Sequence, residues 1–137
     1  MPSVRIGLTA ARPVLDERIA ARVDAMWASG LVDEVRRLEA AGLRRGRTAS
    51  RAVGYAQVLD LLDGRLTDSQ ARADTVRATR RLARRQERWF ARDRRIVWLD
   101  AAAPDLLDRA LAVVDAVNVP DAMDAGPAAD GAQRPGP

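Results

Sequence analysis

Two short apolar segments, far apart in the chain, predict β-strands. Residues 4–8 read Val-Arg-Ile-Gly-Leu, and residues 96–99 read Ile-Val-Trp-Leu. Between them, apolar residues recur three and four positions apart, which is the period of amphipathic helices. Two strands this short do not make a stable sheet by themselves. The pattern therefore predicts a mostly α fold in which the two strands are pieces of a larger α/β sheet.

Two helices are predicted after the first strand. The first has Pro13 in its opening turn and Gly30 just past its end. Its apolar residues lie at helical spacing and predict the face turned to the core: Leu15, Ile19, Val23, Met26 and Trp27. The second helix covers about residues 32–41, and the basic residues 43–49 are expected to form a loop.

Three further helices complete the predicted fold. The third begins at Ser50 as N-cap and ends at Gly64. The longest, about residues 68–91, opens with the capping-box spacing of Thr67 and Gln70. The last helix begins at Pro104 and is expected to turn three side chains inward: Leu107, Leu111 and Val114. We expect residues 1–117 to form the folded unit and residues 118–137, which are rich in Pro, Gly, Ala and Asp, to form a disordered tail.

Composition excludes several kinds of chemistry. All 23 basic residues of this 137-residue chain are Arg, and Lys, His and Cys are absent. The chain therefore has no disulfide, no thiolate or imidazole metal site, and no Ser-His-Asp or Cys-His nucleophile. The absence of Lys also excludes Schiff bases and the lysine of a Walker-type phosphate loop. Any chemistry must rest on Arg, carboxylates, hydroxyls, amides or the backbone.

The net charge of +4 conceals a strongly basic middle. Residues 44–95 hold fifteen Arg and six acidic residues, whereas residues 96–137 hold two Arg and seven acidic residues. Such an uneven distribution indicates an acidic partner for the middle of the chain. No apolar run approaches the roughly 18 residues of a membrane span, and the N-terminus lacks a secretory signal pattern. We therefore expect a cytoplasmic protein without a membrane partner.

The longest predicted helix carries the strongest local signal. Nine Arg and two acidic residues lie between Arg77 and Arg95. Four of these arginines have the spacing of a single helix face: Arg77, Arg81, Arg84 and Arg88. Like charges four residues apart destabilise a helix, and a polyanion would neutralise them. The face is interpreted as a nucleic-acid surface, with a solvated face or another acidic partner as alternatives.

Two weaker signals lie upstream. The segment 48–57 places Gly54 inside a predicted helix, next to the only Tyr of the chain, Tyr55. Either this is a helix start with a tolerated glycine, or Arg51, Tyr55 and Gln57 contact RNA through phosphate, stacking and base-edge interactions. Arg18 and Arg22, one helical turn apart, either converge on one anion or are ordinary surface residues paired with nearby acids.

Five segments, in this order, resemble the tRNA dimethylallyltransferase family, also called tRNA isopentenyltransferase. The resemblance covers about residues 4–115, and the matching segments are 18–26, 30–35, 48–57, 78–90 and 94–100. It extends only to the C-terminal portion of that family. It implies that the strands near 4–8 and 96–99 belong to a P-loop-type α/β fold whose remaining sheet strands are missing. The family's P-loop and its general-base Asp belong to the N-terminal half and are not found in this sequence.

The resemblance also implies a reaction and its participants. The family transfers a dimethylallyl group from dimethylallyl diphosphate to the N6 amine of the adenosine 3′ of the anticodon, with Mg²⁺ assistance. The implied partners are the tRNA anticodon arm and dimethylallyl diphosphate, and the complete enzyme is expected to be monomeric. No catalytic residue and no Mg²⁺ ligand is identified in this chain, so the chain alone is expected to be inactive.

The resemblance assigns roles to individual residues. Arg22, with Arg18 as second choice, would bind the diphosphate. Two further groups would contact tRNA: Arg51, Gly54, Tyr55 and Gln57, and then Arg81, Arg84, Arg85 and Gln86. Thr79 and Trp89 are expected to pack internally. Two other hypotheses remain open, a non-enzymatic basic helical RNA-binding module and a helical protein-binding module without a nucleic-acid role.

Overall fold

A computed structural model describes residues 2–118 as five α-helices, two strands and two short 3₁₀ turns. The strands are β1 (Arg5–Thr9) and β2 (Ile96–Asp100). The helices are α1 (Arg12–Ala28), α2 (Leu31–Ala40), α3 (Tyr55–Leu62), α4 (Asp68–Phe90) and α5 (Leu106–Asn118). The turns cover Leu43–Arg45 and Ala49–Arg51, inside the stretch predicted as a loop and helix start.

The hydrophobic core lies where the first four helices meet. Its buried side chains come from all four: Val23, Trp27, Leu31, Val35, Val58, Leu59 and Ala71. The predicted stripe of α1 faces this core, with Ile19, Val23 and Trp27 buried and Leu15 and Met26 partly buried. From α4, only the N-terminal half reaches the core, through Ala71 and Thr75. The C-terminal half of α4 therefore remains free to form a surface.

Helices α1 and α4 pack antiparallel and are connected by polar contacts along their length. At one end, Trp27 Nε1 donates to Asp68 Oδ1 at 3.0 Å. In the middle, Arg80 Nε lies 3.4 Å from Asp16 Oδ1. At the other end, Arg12 Nη2 lies 3.1 Å from Glu87 Oε2. These contacts place the first residue of α1 beside the last turns of α4.

The two strands pair with each other in parallel, with Arg5 opposite Ile96 and Thr9 opposite Asp100. Parallel sheets are normally covered on both faces. In the part of the chain that is described, this sheet is not, and Ile6, Leu8, Val97 and Trp98 are 36%, 59%, 39% and 38% exposed. The expectation of an incomplete α/β sheet is confirmed.

The predicted start of α3 is wrong. The helix begins at Tyr55, and Gly54 precedes it with φ of 96°, in a region that side-chain-bearing residues rarely adopt. Ser50 does not cap this helix, since its hydroxyl donates to the carbonyl of Gly46 at 2.7 Å. Gly54 is therefore a helix-start residue with a backbone requirement and not a glycine inside a helix.

The predicted inward face of the last helix is also wrong. Leu107, Leu111 and Val114 are 69%, 50% and 37% exposed on α5, which packs chiefly against β2 among the described elements. The spacing correctly predicts an apolar face, but residues 2–118 contain nothing that covers it. The tail predicted over 118–137 lies outside the described residues, apart from Asn118 at the end of α5.

Candidate functional site

An open cleft of about 1070 Å³ lies along the C-terminal half of α4. Four arginines at positions i, i+3, i+4 and i+7 line it because they share one helix face: Arg81, Arg84, Arg85 and Arg88. Arg12 at the start of α1 and Val53 just before α3 form the other sides. The cleft thus brings together three segments that are distant in sequence.

The four α4 arginines of the cleft have no ion-pair partner within residues 2–118. Glu87 is the one carboxylate that lines the cleft, and it pairs with Arg12 at the edge. The cleft is therefore a concentrated positive surface whose guanidinium groups can each donate several hydrogen bonds to an anion.

Two arginine positions differ from the predicted face. Arg77 pairs with Asp74 three residues earlier and does not line the cleft. Arg85 takes part instead, as the resemblance implied. Gln86 is exposed on α4 but does not line the cleft either. The helical period thus predicted three of the four arginines that line the cleft, while Arg77 is paired with a neighbouring carboxylate.

The segment before α3 is held in shape by a side chain of the helix itself. Gly54 N donates to Gln57 Oε1 at 2.8 Å, so the Gln57 carbonyl oxygen caps the helix start. A Cβ on Gly54 would lie 3.5 Å from Met26 Cε in addition to straining the backbone. The geometry therefore assigns a local structural function to Gly54 and Gln57, and fixes Val53 at the edge of the cleft.

Tyr55 faces a different depression, of about 370 Å³, which Arg22 also lines. Its hydroxyl donates to Glu34 Oε1 at 3.0 Å. This hydrogen bond raises the pKa of the Tyr55 phenol, because the carboxylate stabilises the protonated form. Tyr55 and Arg22, predicted separately from the sequence, therefore lie in one place.

Arg18 lines a third depression, of about 360 Å³, at the carboxyl ends of the two strands. Thr9, the last residue of β1, and Asp100, the last residue of β2, lie there with it. Ligands of parallel α/β sheets bind at this edge. Arg18 and Arg22 thus line separate depressions, and neither forms an ion pair with a described carboxylate.

Arg51 lies in the second 3₁₀ turn, where it is exposed and outside the lining of the cleft. Sequence reasoning missed Arg12 and Val53 as cleft residues. No local pattern distinguishes them, because their position follows from the antiparallel packing of α1 on α4 and from the turn at Gly54.

Of the two residues expected to pack internally, Thr79 does so and Trp89 does not. Thr79 is partly buried and its hydroxyl donates to the carbonyl of Thr75 at 2.8 Å. Trp89, expected to pack internally, is 67% exposed. That expectation is wrong for the described chain, because α4 extends beyond the core before it reaches Trp89.

Residues 2–118 contain no group of three carboxylate, His or Cys side chains arranged to hold a metal ion. Over the same residues, no helix has both the length and the apolar composition needed to cross a membrane.

Residues 1–93 match the family model described as IPP transferase. The chain is 67% identical over 113 residues to the tRNA dimethylallyltransferase of Thermobifida fusca, covering 82% of this chain and 35% of that protein. It is 65% identical over 106 residues to the tRNA dimethylallyltransferase of Streptomyces avermitilis, covering 77% of this chain and 34% of that protein. The chain therefore spans about a third of the length of the curated relatives that it matches.

Two solved structures share the fold. The full-length tRNA isopentenylpyrophosphate transferase of Bacillus halodurans matches with a TM-score of 0.77 and 34% identity, over 84% of this chain and 39% of that one. The tRNA delta(2)-isopentenylpyrophosphate transferase of Staphylococcus epidermidis matches with a TM-score of 0.74 and 26% identity, over 82% and 38%.

Proposed function

The chain belongs to the IPP transferase family, and on that premise we propose that it is the C-terminal, tRNA-facing portion of a tRNA dimethylallyltransferase. The observation that carries the proposal is the cleft on α4. Its four arginines, which form no ion pair within residues 2–118, offer a positive surface for closely spaced phosphates. Charge of this kind fixes an RNA in position without reading its sequence.

In the proposed reaction, the N6 amine of the adenosine 3′ of the anticodon attacks the allylic carbon of dimethylallyl diphosphate. The bond from that carbon to the diphosphate oxygen breaks, pyrophosphate leaves, and the N6 proton passes to the general base that the resemblance assigns to the N-terminal half of the family. Negative charge develops on the leaving oxygen, so a positioned guanidinium lowers the barrier. Arg22 is the first candidate for this role and Arg18 the second. Both side chains are exposed, lack carboxylate partners in the described chain, and line depressions of a few hundred Å³.

The tRNA anticodon arm is proposed to lie against two surfaces. Arg81, Arg84 and Arg85 would contact phosphates in the cleft, with Gln86 beside them. Tyr55 would approach the RNA near the reacting base, in the depression that it shares with Arg22. Arg51, exposed in the second 3₁₀ turn, would contact the RNA outside that depression. Gly54 and Gln57 contribute through the shape of the segment that carries Val53 and Tyr55.

The family's association with Mg²⁺ finds no matching site in the described residues. A magnesium ion prefers several oxygen ligands in near-octahedral arrangement, and residues 2–118 contain no group of carboxylates that fits. No step of the proposed reaction is therefore assigned to a metal ion held by these residues.

The proposal is tested by RNA binding to the 137-residue chain. Fluorescence anisotropy with a labelled tRNA anticodon stem–loop, at several salt concentrations, gives the affinity and its salt dependence. With four phosphate contacts we expect log K to fall with log salt at a slope of roughly −3 to −4. In the double variant Arg81→Gln/Arg84→Gln, the slope should become shallower by about two and binding should weaken.

A matched control removes the same charge elsewhere. Arg37 and Arg45 are both exposed, lie outside the cleft lining and form no ion pair within residues 2–118. The double variant Arg37→Gln/Arg45→Gln should leave the slope within error of the unchanged chain. Binding that ignores salt, or equal effects of the two double variants, would contradict the proposed function and favour a protein-binding module.

A second candidate is an RNA-binding module that carries out no chemistry. One feature of the cleft favours this candidate. All the residues that line the cleft lie between 12 and 91, so this chain by itself supplies a complete surface for binding an anion. Both candidates predict binding and no prenyl transfer by the chain alone, since neither a P-loop Lys nor a general base is present. Detectable transfer to stem–loop RNA by the purified chain would contradict both. Restored transfer on adding the P-loop half of a close relative would favour the first.

A further inference from the structure

An exposed aromatic pair lies at the C-terminal end of α4, next to the cleft but outside it. Trp89 is 67% exposed and Phe90 is 43% exposed. Their rings contact edge to face, with centroids 4.9 Å apart and planes at 82°. An aromatic contact of this kind contributes about 0.5–1.5 kcal/mol, so it favours an arrangement in which the two rings form one exposed aromatic surface.

The aromatic pair lines a separate depression of about 540 Å³. Arg5, Arg92 and Arg95 line it too, together with Asp93 and Ile96. Both carboxylate oxygens of Asp93 are engaged by arginines: Oδ2 accepts a hydrogen bond from Arg5 Nη1 at 2.6 Å, and Oδ1 accepts one from Arg95 Nε at 2.9 Å. Arg92 forms no ion pair within residues 2–118. The depression is therefore aromatic and positively charged.

The charge decides between two kinds of occupant. An apolar protein segment could cover Trp89, but it would also remove the guanidinium group of Arg92, which has no ion pair within residues 2–118, from water without compensation. An unpaired nucleotide offers a flat base to the indole and a phosphate to the arginines. Arg88 lines the cleft and Trp89, the next residue of α4, lines this depression, so the two sites are adjacent along the helix.

We propose that Trp89 and Phe90 are a stacking platform for an unpaired RNA nucleotide, with Arg92 contacting its phosphate. The proposal rests on the proposed function, because the same RNA occupies the cleft. It adds a contact that depends on an unpaired base and not on charge. Aromatic stacking of this kind accepts any base, since every base has a flat face.

The experiment compares Trp89→Ala and Trp89→Phe with the unchanged 137-residue chain, using the anticodon stem–loop and a fully paired RNA duplex of the same stem. Trp89→Ala should weaken stem–loop binding about five-fold or more, as expected for the loss of one stacked base. Trp89→Phe should keep most of the affinity. Duplex binding should change less than two-fold, and the salt slope should not change, because no charge is removed.

The outcomes separate this proposal from the proposed function. If Trp89→Ala binds the stem–loop as well as the unchanged chain while Arg81→Gln/Arg84→Gln loses affinity, the platform is overturned and the cleft stands. If no RNA binds at all, both fail. Equal losses on stem–loop and duplex would also overturn the platform, since a duplex offers no unpaired base.

A second measurement covers the case in which Trp89→Ala does not fold. Tryptophan emission of the unchanged chain should be quenched by a short unstructured RNA, and the quenching should largely disappear in Trp89→Phe. Trp27, in the core, and Trp98, on β2, remain in both proteins and serve as the background. Equal quenching in the two proteins would overturn the proposal, as would self-association that Trp89→Phe abolishes and RNA does not affect.

Discussion

The arginine residues of this protein divide into two groups by their partners. Ten form ion pairs within residues 2–118: Arg5, Arg12, Arg36, Arg44, Arg65, Arg72, Arg77, Arg80, Arg95 and Arg109. The six candidate-site arginines are not among them: Arg18, Arg22, Arg51, Arg81, Arg84 and Arg85. Exposed ion pairs contribute at most about 1 kcal/mol each to stability. Their larger effect is to occupy guanidinium groups that could otherwise bind an anion.

Arg44 is an example of an arginine whose guanidinium group is fully engaged in ion pairs within the protein. Its guanidinium reaches Asp63 at 2.6 Å and Glu39 at 2.5 Å. The hydrogen bond to Arg44 holds the pKa of the Asp63 carboxyl below its ordinary value, and Arg44 remains charged at every practical pH. An arginine held in this way connects the first 3₁₀ turn to the end of α3 and is not available to RNA. Residue type alone does not distinguish it from Arg84.

Tyr55 gives a prediction at the same scale, because it is the only tyrosine in the chain. The hydrogen bond to Glu34 raises its pKa, so ultraviolet titration of the phenol should give a value above the ordinary one. Because the pKa of Tyr55 is higher in the folded state than in the unfolded state, this hydrogen bond contributes fully to the free energy of unfolding below the unfolded-state pKa. The contribution is lost as the pH rises through the folded-state pKa.

Glu34→Ala should return the phenol pKa of Tyr55 toward its ordinary value, and Glu34→Gln, which keeps an acceptor without the charge, should give an intermediate result. A phenol that titrates identically in all three proteins would contradict the hydrogen bond.

At the scale of elements, boundaries set by local chemistry were predictable. The capping box of α4 is present as expected, with Gln70 N donating to Thr67 Oγ1 at 3.2 Å and Thr67 N donating to Gln70 Oε1 at 2.9 Å. The start of α3 was not predictable, since residues 50–54 suit a helix by composition. There the positive φ of Gly54 and the cap from Gln57 determine the boundary, and neither has a distinctive local pattern.

Gly54→Ala tests that boundary. The positive φ should cost about 1–3 kcal/mol of stability, measured by urea unfolding, whereas the new Cβ would make only an ordinary contact with Met26 Cε at 3.5 Å. Gly46 is the matched control, because its φ of −83° suits any residue. Gly46→Ala should be neutral or stabilise slightly, by reducing the freedom of the unfolded chain. Equal losses in the two variants would contradict the assigned role of Gly54.

At the scale of the whole molecule, the candidate site was predictable in part. The sequence identified α4 and its arginines because charge and helical period are local properties. It did not identify the contributions of Arg12 and Val53, which depend on how α1 and the turn before α3 pack against α4. It also predicted packing for Leu107 and Trp89, because apolar residues are usually covered, whereas the described chain leaves both exposed.

The exposed apolar surface leads to a prediction about the isolated chain. With Leu8 and Leu107 59% and 69% exposed, we expect poor solubility, self-association and binding of a hydrophobic dye. Leu8→Ser/Leu107→Ser should reduce dye fluorescence and the self-association seen by sedimentation. Val53→Ser, a partly exposed residue of the cleft, is the control and should change neither. A sharp cooperative melt of a monomer without dye binding would contradict the prediction.

The parallel pairing of β1 with β2 has a consequence for the order in which the protein folds. Arg5 pairs with Ile96, so the sheet closes a loop that contains every residue of the first four helices. Contacts between residues this distant in sequence form slowly, because closing the loop costs conformational entropy before the stabilising strand contacts have formed. The helices around Val35 and Val58 rely on nearer contacts and should associate first. Among residues 2–118, β2 is the only strand that pairs with β1, so during synthesis this pairing can form only after β2 has left the ribosome.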